Sequence, residues 1–161
     1  MVNNFERMIQ LADQFFSAKN DPSQISVTEK DRIKLLQIHP SAMSQLENEE
    51  GPYAWLIIIP TTDQIMQKFI SGEINEQELL DQTPVPAEYT AIYLCSILIL
   101  PEFREKGAAR KMSIDAIQSI RNEHPVTSVF YWAFSAEGDN LANSIARETG
   151  LALYKRIVRP A

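Results

Sequence analysis

The chain has 161 residues, 45% of them hydrophobic and 22% charged, which is typical of a globular domain and excludes an intrinsically disordered chain. The formal net charge of −6 and the pI of about 5 argue against a nucleic-acid partner, because nucleic-acid binders present a basic face. A lone Cys95 excludes an internal disulfide, and no apolar run approaches the ~20 residues that span a bilayer. We therefore expect one domain over residues 1–161, located in the cytoplasm, without a nucleic-acid or membrane partner.

The first third of the chain predicts helices followed by one strand. Apolar side chains recur at three- and four-residue steps over residues 3–18, which predicts an amphipathic helix. Residues 26–36 fit either a short strand or a short helix, and residues 41–47 predict one or two helical turns before a polar loop. The apolar and β-branched content of residues 53–59 predicts a strand that Pro60 closes.

The middle of the chain predicts two short helices and the longest strand. Thr62 and Asp63 can cap a helix over residues 62–71, and a second short helix is predicted over residues 75–81. Residues 89–100 are apolar on both alternating faces, which is typical of a central strand covered on both sides. One of these faces is expected to hold Tyr93, Cys95, Ile97 and Ile99.

The last third predicts a helix over residues 107–122, a strand over 126–134, a helix over 139–149 and a strand over 151–158. Gly150 supplies the C-terminal glycine that often ends a helix. This alternation predicts helices packed on a sheet.

The turn between the longest strand and the next helix carries the clearest chemical pattern. Main-chain N–H groups and the helix dipole at a helix start bind anions, and Gly107 permits positive φ and the close approach of a phosphate. Four cations lie within eight residues, and arginine offers bidentate contacts to a pyrophosphate. These cations are Arg104, Lys106, Arg110 and Lys111. An ordinary strand–helix turn with solvated cations is the alternative interpretation.

The spacing Arg104-x-x-Gly107-x-Ala109, with Pro101 three residues before the arginine, resembles the acyl-CoA pyrophosphate loop of the GNAT acetyltransferase superfamily. The similarity covers about residues 89–158. It implies an α/β (α+β) fold with a mixed, mostly antiparallel central sheet of about six to seven strands. Helices would cover both faces, and strands would splay apart at the cofactor site. The implied reaction moves an acetyl group from acetyl-CoA to a primary amine of a small molecule or protein, without a metal, in a monomer or a homodimer.

The resemblance also implies which residues hold the cofactor. Main-chain groups of the strand before the loop would pair with the pantetheine arm, and one N–H would polarise the thioester carbonyl. The implied cofactor contacts are Ile97, Leu98, Ile99, Arg104, Glu105, Lys106, Gly107, Ala108, Ala109, Arg110, Asp139 and Asn140.

The catalytic positions depart from the family pattern. Ala146 stands where the family commonly has a tyrosine that protonates the departing CoA thiolate. Water is one alternative proton source, and the hydroxyls of Tyr131 and Ser144 are the candidate acids. Tyr93 stands where one branch has a catalytic glutamate. Glu88, Tyr89 and Glu137, near predicted strand ends, are then the candidates for the general base, with ordinary surface residues as the alternative interpretation.

Three other interpretations compete with the acetyltransferase. A non-catalytic acyl-CoA-binding regulatory module on the same fold is the alternative function. A phosphate-binding domain unrelated to CoA is disfavoured, because neither a Gly-Lys-Ser/Thr loop nor a Gly-x-Gly-x-x-Gly pattern occurs. A Cys95 nucleophile would need a histidine partner, and His39 and His124 lie in predicted turns. Two histidines and one cysteine give no metal-ligand spacing.

Overall fold

The computed structural model describes residues 3–19, 28–104 and 107–157 of the chain. The predicted turn at 20–22 and the predicted cofactor contacts Glu105 and Lys106 lie outside these ranges. The described helices are α1 Asn4–Lys19, α2 Glu29–Ile38, α3 Asp63–Ile70, α4 Glu76–Gln82, α5 Ala108–Arg121 and α6 Ala136–Thr149. The described strands are β1 Met43–Asn48, β2 Gly51–Thr61, β3 Ala91–Ile99, β4 Ser128–Ala133 and β5 Ala152–Ile157.

The five strands form one mixed sheet in the order β1-β2-β3-β4-β5. The pairs β1–β2 and β2–β3 are antiparallel, whereas β3–β4 and β4–β5 are parallel. The expected six to seven strands exceed the five that the described residues form, and the antiparallel pairs are not in the majority. The helices α5 and α6 explain the second difference, because crossover connections of this kind join parallel strands. The expected central position of β3 is confirmed.

Residues 41–47 were expected to form helical turns, and this expectation is wrong. A single 3-10 turn covers Pro40–Ala42, and the chain then enters β1. This strand forms a hairpin with β2, in which Asn48 lies opposite Gly51. Its strand conformation comes from main-chain pairing with β2, which local propensity does not report.

Local capping explains where several helices begin, and it also moves the start of α6 from the expected residue 139 to Ala136, because Ser135 caps that helix. Thr28 and Asp31 form a capping box that selects the helical alternative for α2. Thr62 caps α3 by accepting a hydrogen bond from the N–H of Ile65. Pro60 does not close β2, which continues to Thr61.

The sheet is covered by helices on both faces. Ile57 and Ile59 of β2 face a core that they share with α2, α3 and α4, and α1 packs on the same side against Trp55 and Leu98. We call this side the α1–α4 face. The alternate β2 residues, such as Ile58, face a second core shared with α5 and α6, which we call the α5–α6 face.

A β-bulge in β3 corrects the expected pattern of its faces. Ile57 lies opposite Ser96 and Ile58 lies opposite Leu94, so Cys95 is an extra residue in the strand. An extra residue inverts the side-chain alternation beyond it. Tyr93 and Cys95 therefore pack on the α1–α4 face as one pair, whereas Ile97 and Ile99 were wrongly assigned to their side and pack on the α5–α6 face.

Candidate functional site

The strands β3 and β4 pair over only three positions before they diverge. The last pair along the described strands joins Tyr93 to Phe130. Beyond it, β3 stays paired with β2 as far as Ile99, and β4 stays paired with β5 as far as Ala133. We call the gap between residues 94–99 of β3 and residues 131–133 of β4 the wedge. Main-chain groups along the β3 side of the wedge have no β4 partner there, and a ligand with amide groups can pair with them.

The helix α5 begins directly beyond this end of β3. Its N-cap, Gly107, has φ of 70° and ψ of 12°, which is the left-handed conformation that glycine adopts without strain. No described side chain caps this helix start, and nothing described lies within 4 Å of the position where a Cβ would stand. The first N–H groups of a helix have no intrahelical acceptor. The start of α5 is therefore open to an anion.

Three described cations lie near this helix start in the sequence, and each has a described polar contact. The Nε of Arg104 donates to the Ile99 carbonyl at 2.8 Å, which joins the turn to the end of β3 and uses one of the five guanidinium N–H groups. The Nε of Arg110 lies 3.9 Å from a Glu148 carboxylate oxygen. The exposed ammonium of Lys111 lies 3.2 Å from the Asp115 carboxylate. The three cations therefore lie in the turn before Gly107 or in the first turn of α5.

Tyr131 and Asp139 lie together at the start of the wedge. Tyr131 directly follows the last residue of β4 that pairs with β3, and its side chain is buried. Its hydroxyl donates to Asp139 Oδ1 at 2.6 Å, in the first turn of α6. Burial raises the pKa of Tyr131 to about 12, and the hydrogen bond and negative charge of Asp139 add to the effect. Tyr131 therefore stays protonated at neutral pH and acts as a hydrogen-bond donor.

Five further residues that were predicted to contact the cofactor lie on β3 or in the first turn of α5. Ile97, Leu98 and Ile99 lie on the β3 side of the wedge, where their main-chain groups border the gap. Ala108 and Ala109 form the first turn of α5 and are half-buried.

The two carboxylates predicted as general bases lie in different places. Glu137 and its neighbour Asn140 are exposed near the start of α6, on the side of the wedge. Glu88 is exposed and precedes β3 at the opposite end from Gly107. At ~3.3 Å per residue of extended chain, Glu88 lies up to roughly 23 Å from Cys95, near the inner end of the wedge. The structure does not bring Glu88 together with the wedge.

Glu76 is a carboxylate that the sequence analysis missed. It is the first residue of α4, and only 2% of it is exposed. Its Oε2 accepts a hydrogen bond from the hydroxyl of Tyr93 at 2.5 Å and lies 3.9 Å from the Sγ of Cys95. The capping pattern of Asn75 and Glu78 predicts where α4 begins, but burial of its first residue depends on tertiary contacts, which include Tyr93 and Cys95 of β3.

A groove of about 690 Å³ opens on the α1–α4 face, between α1, α2 and the first three strands. This volume lies within the range of small-molecule sites, about 300–1,000 Å³. Ser96 and Leu98 of β3 form part of its lining. Its other apolar lining residues include Phe5, Ile9, Ala12, Trp55 and Ile57. The groove therefore adjoins the strand that borders the wedge.

Other classes of site find no support in the part of the chain that the structure describes. No three His, Cys, Asp or Glu side chains among those residues group closely enough to hold a metal ion. None of the described helices has both the length and the apolar character needed to cross a bilayer.

Comparison with family models, with curated proteins and with solved structures finds no match to this chain, so its site is interpreted from its own geometry.

Proposed function

We propose that the chain is an N-acetyltransferase that moves the acetyl group of acetyl-CoA to a primary amine of a small molecule or protein. One observation carries the proposal: the unpaired side of β3 leads directly to the open start of α5 at Gly107. The two features together match a ligand that has an extended arm of amides and, at one end, a diphosphate.

In the proposed complex, the diphosphate binds the first N–H groups of α5, and Arg104 and Arg110 add charge-assisted contacts. The pantetheine arm runs along residues 94–99 and hydrogen-bonds to the main chain there. The thioester then lies near the bulge at Cys95, where the two strands separate. A main-chain N–H of β3 donates to the carbonyl oxygen as negative charge develops on it.

The reaction joins the amine nitrogen to the carbonyl carbon and breaks the carbon–sulfur bond. Holding the two reactants side by side removes much of the entropic barrier. The pKa of Tyr131 is about 12, whereas a thiol has a pKa of about 8.5, so full proton transfer from Tyr131 to the departing thiolate is uphill. The single hydroxyl proton of Tyr131 is donated to Asp139, so Tyr131 stabilises the thiolate by hydrogen bonding only when it exchanges Asp139 for the sulfur, and solvent supplies the proton that the thiolate takes up.

The first experiment measures thermal stabilisation by acetyl-CoA, ATP and NAD. A ligand at ~100 times its dissociation constant adds about 2.7 kcal/mol to the free energy of unfolding, so we expect a clear shift with acetyl-CoA alone. Thiol release over a panel of amines then measures turnover.

The variant Gly107→Glu tests the site, because a carboxylate at the start of α5 repels the diphosphate. We expect loss of the acetyl-CoA shift while the free protein stays folded. Gly72→Glu is the matched control, since Gly72 is also exposed, has φ of 86° and has nothing described within 4 Å of the place that a Cβ would occupy. Equal affinity of the two variants for acetyl-CoA would show that the diphosphate binds elsewhere.

A non-catalytic acyl-CoA-binding module is the second candidate. Two observations favour it: Ala146 is buried in α6 where the family tyrosine is expected, and the hydroxyl of Tyr131 already donates to Asp139. Tight binding of acetyl-CoA without thiol release for any amine would support this candidate over the enzyme.

A further inference from the structure

Four side chains on the α1–α4 face mark the point at which β3 and β4 separate. Tyr93 and Phe130 form the last pair, and two residues further on lie Cys95 and Trp132. All four pack against the same core, but Cys95 and Trp132 are only half-buried. Cys95 and Trp132 therefore stand on the two sides of the wedge, and Tyr93 with Phe130 closes its inner end.

Glu76 lies directly behind this opening. Its carboxylate contacts both the hydroxyl of Tyr93 and the sulfur of Cys95, and it reaches them from α4. Burying a carboxylate is costly unless it is hydrogen-bonded, and a buried acid beside a cleft is a frequent sign of a functional site. The indole Nε1 of Trp132, across the wedge, is buried and has no hydrogen-bond partner among the described residues.

We infer that Glu76 is the general base of the proposed acetyl transfer, and that the acceptor amine enters between Cys95 and Trp132 from the α1–α4 face. This inference rests on the proposed function. The groove lined by Ser96 opens on the same face, one residue along β3 from Cys95. The carboxylate of Glu76 takes one proton from the ammonium, which frees the nitrogen lone pair.

The protons and electrons of this step balance. The neutral amine forms the nitrogen–carbon bond, the carbon–sulfur bond breaks, and the electron pair leaves on the CoA thiolate. The second proton lost by the nitrogen passes through solvent to the thiolate, and Glu76 returns its proton to water when the product leaves.

Groups on β3 and β5 lie near Glu76. The Tyr93 hydroxyl donates to the carboxylate and therefore favours its charged form. Cys95 lies next to it on β3. From β5, Arg156 stacks on the ring of Trp132 at 4.1 Å and donates to the carbonyl of Ile74, two residues before Glu76. Tyr93 is thus a positioning residue, and its removal should alter when Glu76 titrates.

The test compares Glu76→Gln with the wild type in acetyl-CoA binding and in the pH dependence of kcat/KM. We expect an unchanged thermal shift with acetyl-CoA, a kcat lower by about 10²- to 10⁴-fold, and loss of the acidic limb of the pH profile. Glutamine keeps the size of the side chain and can accept from Tyr93. Glu78→Gln is the control, because Glu78 is exposed on the same helix and glutamine also serves its capping role.

Tyr93→Phe separates a catalytic role from a structural one. Without the donated hydrogen bond the carboxylate is harder to ionise, so we expect the acidic limb to move to higher pH while turnover persists. Wild-type kcat and pH dependence in Glu76→Gln would overturn the inference and leave the acetyltransferase intact. Absence of acetyl-CoA binding, or of turnover with every amine in the wild type, would overturn both.

Discussion

Tyr131 illustrates how burial and one neighbour define the chemistry of a side chain. From the sequence alone, Tyr131 can be identified only as a tyrosine near the end of a predicted strand. The structure adds the carboxylate of Asp139, which accepts its hydrogen bond at 2.6 Å, and a pKa of about 12. These facts limit Tyr131 to donating a hydrogen bond.

The raised pKa of Tyr131 predicts a loss of stability at alkaline pH. A group with a higher pKa in the folded state contributes stability below its ordinary pKa of 10, and this contribution is lost as pH rises toward about 12. We expect Tyr131→Phe to lose less free energy of unfolding than the wild type between pH 9.5 and 12, as measured by urea titration at each pH. Some loss should remain, because burial also raises the pKa of Tyr89 and Tyr93. Identical pH dependence in the two proteins would contradict this role.

At the level of elements, α1 is joined to the turn that leads to the candidate cofactor loop. Arg7 donates two hydrogen bonds to the carboxylate of Glu102, at 2.7 and 2.8 Å. The Arg7 guanidinium lowers the pKa of Glu102 from 4.5 to about 2. Both side chains are partly exposed, so salt and water weaken the pair.

We predict that this pair retains α1 on the sheet until strongly acidic pH. A carboxylate with a lowered pKa stabilises the fold above its ordinary pKa, and the contribution is lost as pH falls from about 4.5 through about 2. Glu102→Gln should therefore speed amide hydrogen exchange in α1 at pH 7. The control Glu148→Gln removes the looser contact to Arg110 and should leave α1 exchange unchanged. Unaltered α1 exchange in Glu102→Gln would show that apolar packing alone retains the helix.

The elements also show which features the sequence could predict. Helix starts at Thr62 and Asn75 and the helix end at Gly150 depend on neighbouring residues in the chain, and these predictions agree with the structure. The strand β1 and the bulge at Cys95 depend on main-chain pairing with β2. Pairing of that kind joins residues distant in sequence, so local patterns predicted helical turns for β1 and a continuous alternation for β3.

The features of the candidate site also differ in whether the local sequence predicts them. The features around Gly107 follow from a strand, a turn and a helix that are consecutive in the chain. Glu76 meets Tyr93 only through the tertiary packing of α4, which lies beside α2 and α3, and nothing in the sequence around Glu76 indicates that contact. Glu88 is close to β3 in sequence, but it precedes the strand, and the residues of β3 that pair with β4 lie between it and the wedge.

For the whole molecule, the net charge of −6 opposes the binding of an anionic cofactor, whereas the cations around Gly107 favour it. Arg104 and Arg110 are within three residues of Gly107, whereas the acidic residues are spread along the chain, and charges further apart than a Debye length, about 8 Å at 0.15 M salt, are largely screened. The nearby cations should therefore dominate, and added salt should weaken binding.

We predict that the dissociation constant for acetyl-CoA rises as NaCl increases from 0.05 to 0.5 M, as measured by calorimetry. S-acetylpantetheine, which lacks the diphosphate, is the control and should bind more weakly with little dependence on salt. Equal salt dependence of the two ligands would mean that the cations around Gly107 do not contact the diphosphate.

The path of the chain between β2 and β3 has a wider consequence. Neighbouring antiparallel strands need only a tight hairpin, yet here the chain leaves the sheet at Thr61, builds α3 and α4, and returns at Ala91. This detour supplies Glu76 together with much of the covering for one side of the sheet. The order of the strands does not depend on it. The sheet and the buried carboxylate of Glu76 are thus supplied by separate segments of the chain. A different insertion between β2 and β3 could give the same sheet other catalytic residues.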